Sequence, residues 1–185
     1  MSYEKLEKEL KDLPQNFIVG FVVNSENYEE TNLHLLEFFV NKLGYSGGYV
    51  TINRPYDNLM FVLNKHNINM DRLFFIDCIT KNIGGAEKNA PNCLFLDSPR
   101  NLTDLGIALH EYVSLTKDEK RFLFLDSLST LFVHNDRDTM MKFIHYITGK
   151  MRLWNINGIM ISLHEETDRK VIAELSQFCD KIIRI

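Results

Sequence analysis

Seven short, uniformly apolar runs punctuate this 185-residue chain: FIVGFVV (17–23), GYVTI (48–52), LFFID (73–77), CLFLD (93–97), FLFLD (122–126), GIMISL (158–163) and KIIRI (181–185). None shows the polar–apolar alternation of a strand with one wet face. Runs of this kind are buried on both sides, as in a parallel sheet covered by helices. The segments between them supply the helices. Met140, Ile144, Ile147, Met151 and Trp154 form one stripe at steps of four and three within 137–154. Leu102, Leu105, Leu109 and Tyr112 repeat it in 101–116, behind an expected Asn101 cap. Leu36, Phe39, Val40 and Leu43 mark a helix over 28–43. Pro55 suits the opening of another that carries Leu59, Val62 and Leu63. Leu6, Leu10 and Leu13 predict a short helix over 3–12, packed outside the core. The order α-βα-βα-β-βα-βα-βα-β is that of the α/β class. It specifies a doubly wound, mostly parallel sheet with helices on both faces and right-handed crossovers.

No linker rich in Pro, Gly or Ser divides the chain, and one domain over 1–185 is expected, with 1–14 as an N-terminal helical extension. The least regular stretch, KNIGGAEKNAPN (81–92), reads as a surface loop. A net charge of −4 and the absence of a Lys/Arg block argue against nucleic acid, with a local patch at Lys117, Lys120 and Arg121 as the one place it would bind. A membrane span needs about 18 consecutive apolar residues, and no run approaches that. The charged, amphipathic start is not a secretory signal. Cys78, Cys93 and Cys179 are odd in number and far apart, which fits a reducing cytoplasm better than a disulfide framework or a zinc knuckle.

Ligands of an open α/β sheet bind beyond the carboxyl ends of its strands. There RFLFLDSLST (121–130) ends a strand at Asp126, as the metal-side aspartate of a phosphate-binding ATPase does. Asp126 is therefore the candidate magnesium residue; its other reading is a cap on the 127–133 segment. Asp77 and Asp97 end strands in the same way, and cap or turn roles are expected of both. The matching phosphate loop would follow the 17–23 strand. Set against G-x-x-x-x-G-K-[ST], with Thr31 as its last residue, Asn24 holds the first glycine position, Glu29 the second and Glu30 the lysine position. Only Thr31 fits. A helix N-terminus attracts phosphate through free N–H groups and its dipole. Here Glu29 and Glu30 bring the negative charge from within the chain, and Asn27 is placed to cap the helix with Glu30 three residues on. The same acids also suit the first turn of an unrelated helix. His164, Glu165 and Glu166 follow the 158–163 strand at the same edge and are candidates for a polar cluster with Asp126. Adjacent loop residues make a poor metal signature. No zincin or nucleophile-elbow pattern is present.

RFLFLDSLSTLFVHND, KFIHYITGKMRLWNINGIMISLHEE and FCDKIIRI together resemble the second half of the KaiC-like branch of the RecA-type ATPases. GGYVTINRPYDNLMFVLNKHNINMDRLFFIDCIT resembles that branch's second strand, helix and third strand. The resemblance covers residues 17–185 and points to the degenerate KaiC-like domains familiar as small archaeal proteins. It implies a three-layer RecA-type sandwich. It makes Asp126 the magnesium-shell acid, Thr31 the phosphate-loop threonine and His164 the residue that senses phosphate from the neighbouring core strand. Asn53 and Arg54 stand where the catalytic glutamate would be. With lysine and glutamate both gone, the resemblance implies a pseudo-ATPase without a required cofactor, acting in regulation, signalling, protein binding or self-association. The alternative is a nucleotide-binding protein or weak ATPase that uses Mg-ATP at a remodelled site formed by Thr31, Asp126 and His164.

Overall fold

The structure, a computed structural model, describes residues 3–86, 90–164 and 169–185. Its strands are β1 (Ile18–Val23), β2 (Ser46–Thr51), β3 (Leu73–Asp77), β4 (Cys93–Phe95), β5 (Arg121–Asp126), β6 (Asn157–Leu163) and β7 (Lys181–Arg184). Its helices are α1 (Tyr3–Lys11), α2 (Tyr28–Leu36), α3 (Tyr56–Lys65), α4 (Leu102–Leu115), α5 (Leu128–His134), α6 (Arg137–Leu153) and α7 (Arg169–Leu175). A single 3-10 turn, Ser25–Asn27, leads into α2, and the helix runs on past Leu36 as a π-helical segment, Glu37–Lys42.

Among the described residues all strand pairings are parallel, in the order β4-β3-β2-β5-β6-β1-β7. β1 and β2 are buried at every position, which is why their sequences carry no alternation. One face of the sheet packs Leu35, Leu36, Phe39, Leu59 and Leu63 from the helices that follow β1 and β2. The other packs Leu109, Leu131, Ile144, Met151 and Leu175 from the helices that follow β4, β5 and β6. The connections leaving the carboxyl edge therefore part in opposite directions between β2 and β5, and again between β6 and β1. Crevices at such switch points are where α/β sheets hold ligands.

The expected stripes all face the core. Asn101 caps α4 by accepting from the Asp104 amide, and Pro55 stands one residue ahead of α3. β4 is shorter than the 93–97 run: Leu96 still donates to the Asp77 carbonyl at 2.8 Å, but Asp97 lies outside the strand. No helix among the described residues is long and apolar enough to cross a membrane.

Two expectations are corrected here. The N-terminal helix is part of the core rather than outside it. Leu6 and Leu10 are buried in the same cluster as Phe17 and Phe39, and Tyr3 stacks on His34 with ring centroids 4.1 Å apart. Amphipathicity reveals which face of α1 is apolar but not how deep it lies. Leu6→Ala should accordingly cost about 2–4 kcal/mol, as for any fully buried leucine, measured by chemical denaturation. A packed-on-the-outside helix would lose a few tenths. Arg121, in turn, is directed toward the chain itself rather than presented with Lys117 and Lys120. Its guanidinium donates to the carbonyls of Val113, Thr116 and Trp154 at 2.8–3.1 Å, closing the ends of α4 and α6.

Candidate functional site

The β2–β5 crevice is built around Asp126, the last residue of β5, which lies opposite Thr51 in the strand register. The residue is 5% exposed. One carboxylate oxygen accepts from the Tyr28 hydroxyl at the start of α2, the other from the Tyr49 hydroxyl on β2. Asn53, just after β2, donates to the Tyr28 oxygen at 2.8 Å and to Ser127 Oγ at 3.4 Å, and accepts from the Thr130 hydroxyl. Ser127 caps α5, taking the Thr130 amide at 3.3 Å, and its hydroxyl lies 2.9 Å from Ser129 Oγ. Ser129 in turn accepts from the Leu163 amide at 3.2 Å. The network thus joins α2, β2, β5, α5 and β6. At its outer edge Arg54 donates to the Glu29 carboxylate.

Burial pushes the Asp126 carboxyl above the usual carboxylate range, against hydrogen bonds from Tyr28, Tyr49 and Asn32 and the nearby charge of Arg54. Burial, and next the Asp126 charge, push both phenols up, so Tyr28 and Tyr49 stay neutral donors. The space left beside this cluster is about 20 Å³, lined by Tyr28, Asn32, Tyr49, Arg54 and Asp126 above an apolar floor that includes Leu36 and Leu59. A single water needs about 10–15 Å³ on this scale. Magnesium keeps near-octahedral geometry with several waters, which a cavity of that size does not admit. Among the described residues no three of His, Cys, Asp or Glu are grouped as metal ligands.

The candidate residues fall into two sets. Asp126 and Glu29 belong to the crevice, Glu29 through Arg54. Asn24, Glu30, Thr31 and His164 are not hydrogen-bonded to it among the described residues. Asn24 is an exposed turn residue whose backbone bridges the Ile185 carbonyl and the Asn27 amide. Glu30 is exposed. Thr31 is buried completely on the α1 side, near Tyr3. His164 is exposed, and its amide donates to the Val23 carbonyl at 2.9 Å. Glu165 and Glu166 lie outside the described residues.

Three local expectations change. Asn27 makes no side-chain cap, because the 3-10 turn ahead of α2 already holds it in a helical conformation. Ser127, rather than Asp126, caps α5. Asp77 caps doubly, accepting from the amides of Tyr56, Ile79 and Thr80 at 2.7–2.8 Å, whereas Asp97 only pairs with Lys81 across an exposed surface. Sequence reasoning missed Tyr28, Asn32 and Tyr49. Two signals were available. Tyr28 and Asn32 are four apart, hence on one helix face. Tyr49 puts a hydroxyl into an otherwise apolar buried run, which demands a partner.

A family model, described as a family of unknown function, DUF7504, matches residues 68–185, more than half of the chain. The chain belongs to DUF7504. No curated protein matches this DUF7504 member. Its sheet does match solved structures. A KaiC-like protein, PH0186, from Pyrococcus horikoshii OT3 has a TM-score of 0.65 at 11% identity, over 93% of this chain and 72% of that one. The flagellar accessory protein FlaH from Methanocaldococcus jannaschii has 0.67 at 16% identity, over 100% and 77%. PH0321 from Pyrococcus horikoshii, crystallised in complex with an unknown peptide, has 0.67 at 14%, over 100% and 84%. At these identities the likeness is one of fold: the DUF7504 chain has the α/β architecture of KaiC-like, RecA-type proteins.

Proposed function

We propose that this DUF7504 chain is a non-hydrolysing member of the KaiC-like fold that acts as a regulatory or protein-interaction module. One observation carries the reading: both oxygens of Asp126 are taken by tyrosine hydroxyls from the chain itself. A magnesium shell would have to enter a space of about 20 Å³ beside Tyr28 and Tyr49, and pushing the Tyr49 hydroxyl off the carboxylate would leave it unpaired at a cost of about 1–3 kcal/mol. The segment that would face the phosphates, Asn24–Thr31, offers Glu26, Glu29 and Glu30 and no lysine or glycine. Arg54, whose charge acts on Asp126, is already paired with Glu29. Thr31, the one residue of that segment that suits a phosphate loop, is buried away from the crevice. No resident cofactor is required by this reading. A neighbour of the same fold was crystallised with a peptide, which supports looking for a protein partner.

Isothermal titration of the full chain with Mg-ATP and with Mg-ADP tests it. Saturable heat is not expected below about 1 mM nucleotide, a binding free energy weaker than about −4 kcal/mol. A dissociation constant near micromolar would overturn the proposal in favour of a remodelled nucleotide site. Asp126→Ala would then say whether that site uses the β5 carboxylate.

A further inference from the structure

We propose that the groove between α4 and α6 docks an acidic amphipathic helix of a partner protein; the inference rests on the interaction-module reading and names its surface. The groove lies on the sheet face opposite α2 and encloses about 540 Å³. Its apolar lining is Leu102, Gly106, Ile107, Phe143, Tyr146 and Trp154. These side chains are not all packed away: Ile107 is 60% and Tyr146 50% exposed, and Leu153, close by on α6, is 78% exposed. A furrow between two helices accepts the ridge of a third, which buries just such a row of side chains.

Charge selects the partner. Lys142 and Lys150 line the groove together with His110, and no Asp or Glu does. This basic lining belongs to a chain whose net charge is −4. Lys150 is held over the rings of Tyr146 and Trp154, 5.7 and 6.0 Å from their centroids, so the positive charge sits on the aromatic wall. Apolar side chains flanked by carboxylates complement that surface. A second copy does not, because a two-fold interface through this face would gather four lysines, two from each copy, with no carboxylate in the groove lining to pair them. Two lysines on an apolar floor are also too few to follow a phosphate backbone.

The backbone supports close approach. Gly106 sits inside α4, and an added Cβ there would meet only Tyr146 Cε1 at 3.6 Å, an ordinary contact. Gly149 sits inside α6, where a Cβ would meet nothing within 4 Å. Packing within the chain requires neither glycine, and both weaken their helices relative to alanine. Gly106 lines the groove, and a partner helix lying along it does have use for that missing Cβ.

The test is a selection of displayed helical peptides of about 16 residues, four turns, on the full chain. The expected winners carry apolar residues at i, i+3, i+4 and i+7 flanked by Asp and Glu. Synthetic copies should change the emission of Trp154, the single tryptophan of the chain, and bind more weakly as salt is raised. Tyr146→Ser or Ile107→Ser should weaken binding about 30-fold, the loss of a central anchor. Lys142→Glu with Lys150→Glu should abolish the preference for acidic peptides. Both serine variants alter exposed side chains, and an unchanged thermal midpoint will show that they fold. Winners that are basic, or that are indifferent to these substitutions, or no winners at all, overturn the docking site. So does a dimer in sedimentation that Tyr146→Ser dissolves, since the occupant is then a second copy. Silent titrations with Mg-ATP would leave the interaction-module reading standing even if the groove fails. Micromolar nucleotide binding would remove that reading whatever the groove does.

Discussion

Asp126→Ala is expected to destabilise the protein by about 3–5 kcal/mol, lowering its thermal midpoint by roughly 10 °C. The change removes the acceptor of two buried phenols at once. Tyr49 is 2% exposed; Tyr28 keeps only Asn53. Each orphaned hydroxyl costs about 1–3 kcal/mol, and the vacated volume adds to it. Tyr49→Phe should cost less, about 1.5–3 kcal/mol, since it strips one hydrogen bond from a carboxylate that retains the other. Were Asp126 instead an open metal ligand whose tyrosine contacts are incidental, alanine would be tolerated or even stabilising. Denaturant unfolding of the three proteins separates these outcomes.

The pH dependence gives the same residue a second signature. Burial holds the folded-state carboxyl above its ordinary value. Between the unfolded value, about 4, and the raised folded value, the native chain holds more protons than the unfolded one. The contribution of Asp126 to stability therefore falls as pH rises through that window. Asp126→Asn has no charge to desolvate. Its stability relative to the natural sequence should improve as pH is taken upward from about 4, then level off. A difference that is flat in pH would mean that folding leaves the carboxyl unshifted, and one that moves the other way would mean that the carboxylate is stabilised as the anion.

Gly47→Ala is the second large effect, about 3 kcal/mol. Gly47 on β2 lies opposite Phe122 on β5, and an added Cβ would stand 2.2 Å from Phe122 Cζ. The ring cannot retreat, because it is fully buried and packs on Phe39 with centroids 5.7 Å apart. The glycine makes room for an aromatic ring over the backbone rather than for an unusual turn. Phe122→Leu alone should cost about 1–2 kcal/mol. With the ring gone, the alanine has space, so the double variant should be more stable than the sum of the two losses by about 1–2 kcal/mol. Strict additivity would show that the steric argument is wrong.

Local regularities in the chain were enough to define its scaffold. Seven runs without alternation announced the strands, though the edge strands β4 and β7 proved only partly buried, and stripes at steps of three and four announced the helices that cover them. Those patterns repeat within a few residues, so they survive without knowledge of what lies opposite. They also put Asp126 at a carboxyl edge. What they could not supply is which strand lies beside which. β2 and β5 are neighbours across an intervening 69 residues (52–120), and only that pairing brings the Tyr49 hydroxyl onto Asp126. Tyr28 arrives from 98 positions away, at the start of the helix that follows β1, with β6 between β1 and β5. The residues aligned to a phosphate loop, by contrast, were read in order along the chain, whereas folding sends Glu29 to Arg54 and Thr31 beneath α1. Periodicity is a property of the local backbone and is written in the sequence. The partner of a polar side chain is a property of strand order, and it was decided only when the sheet assembled.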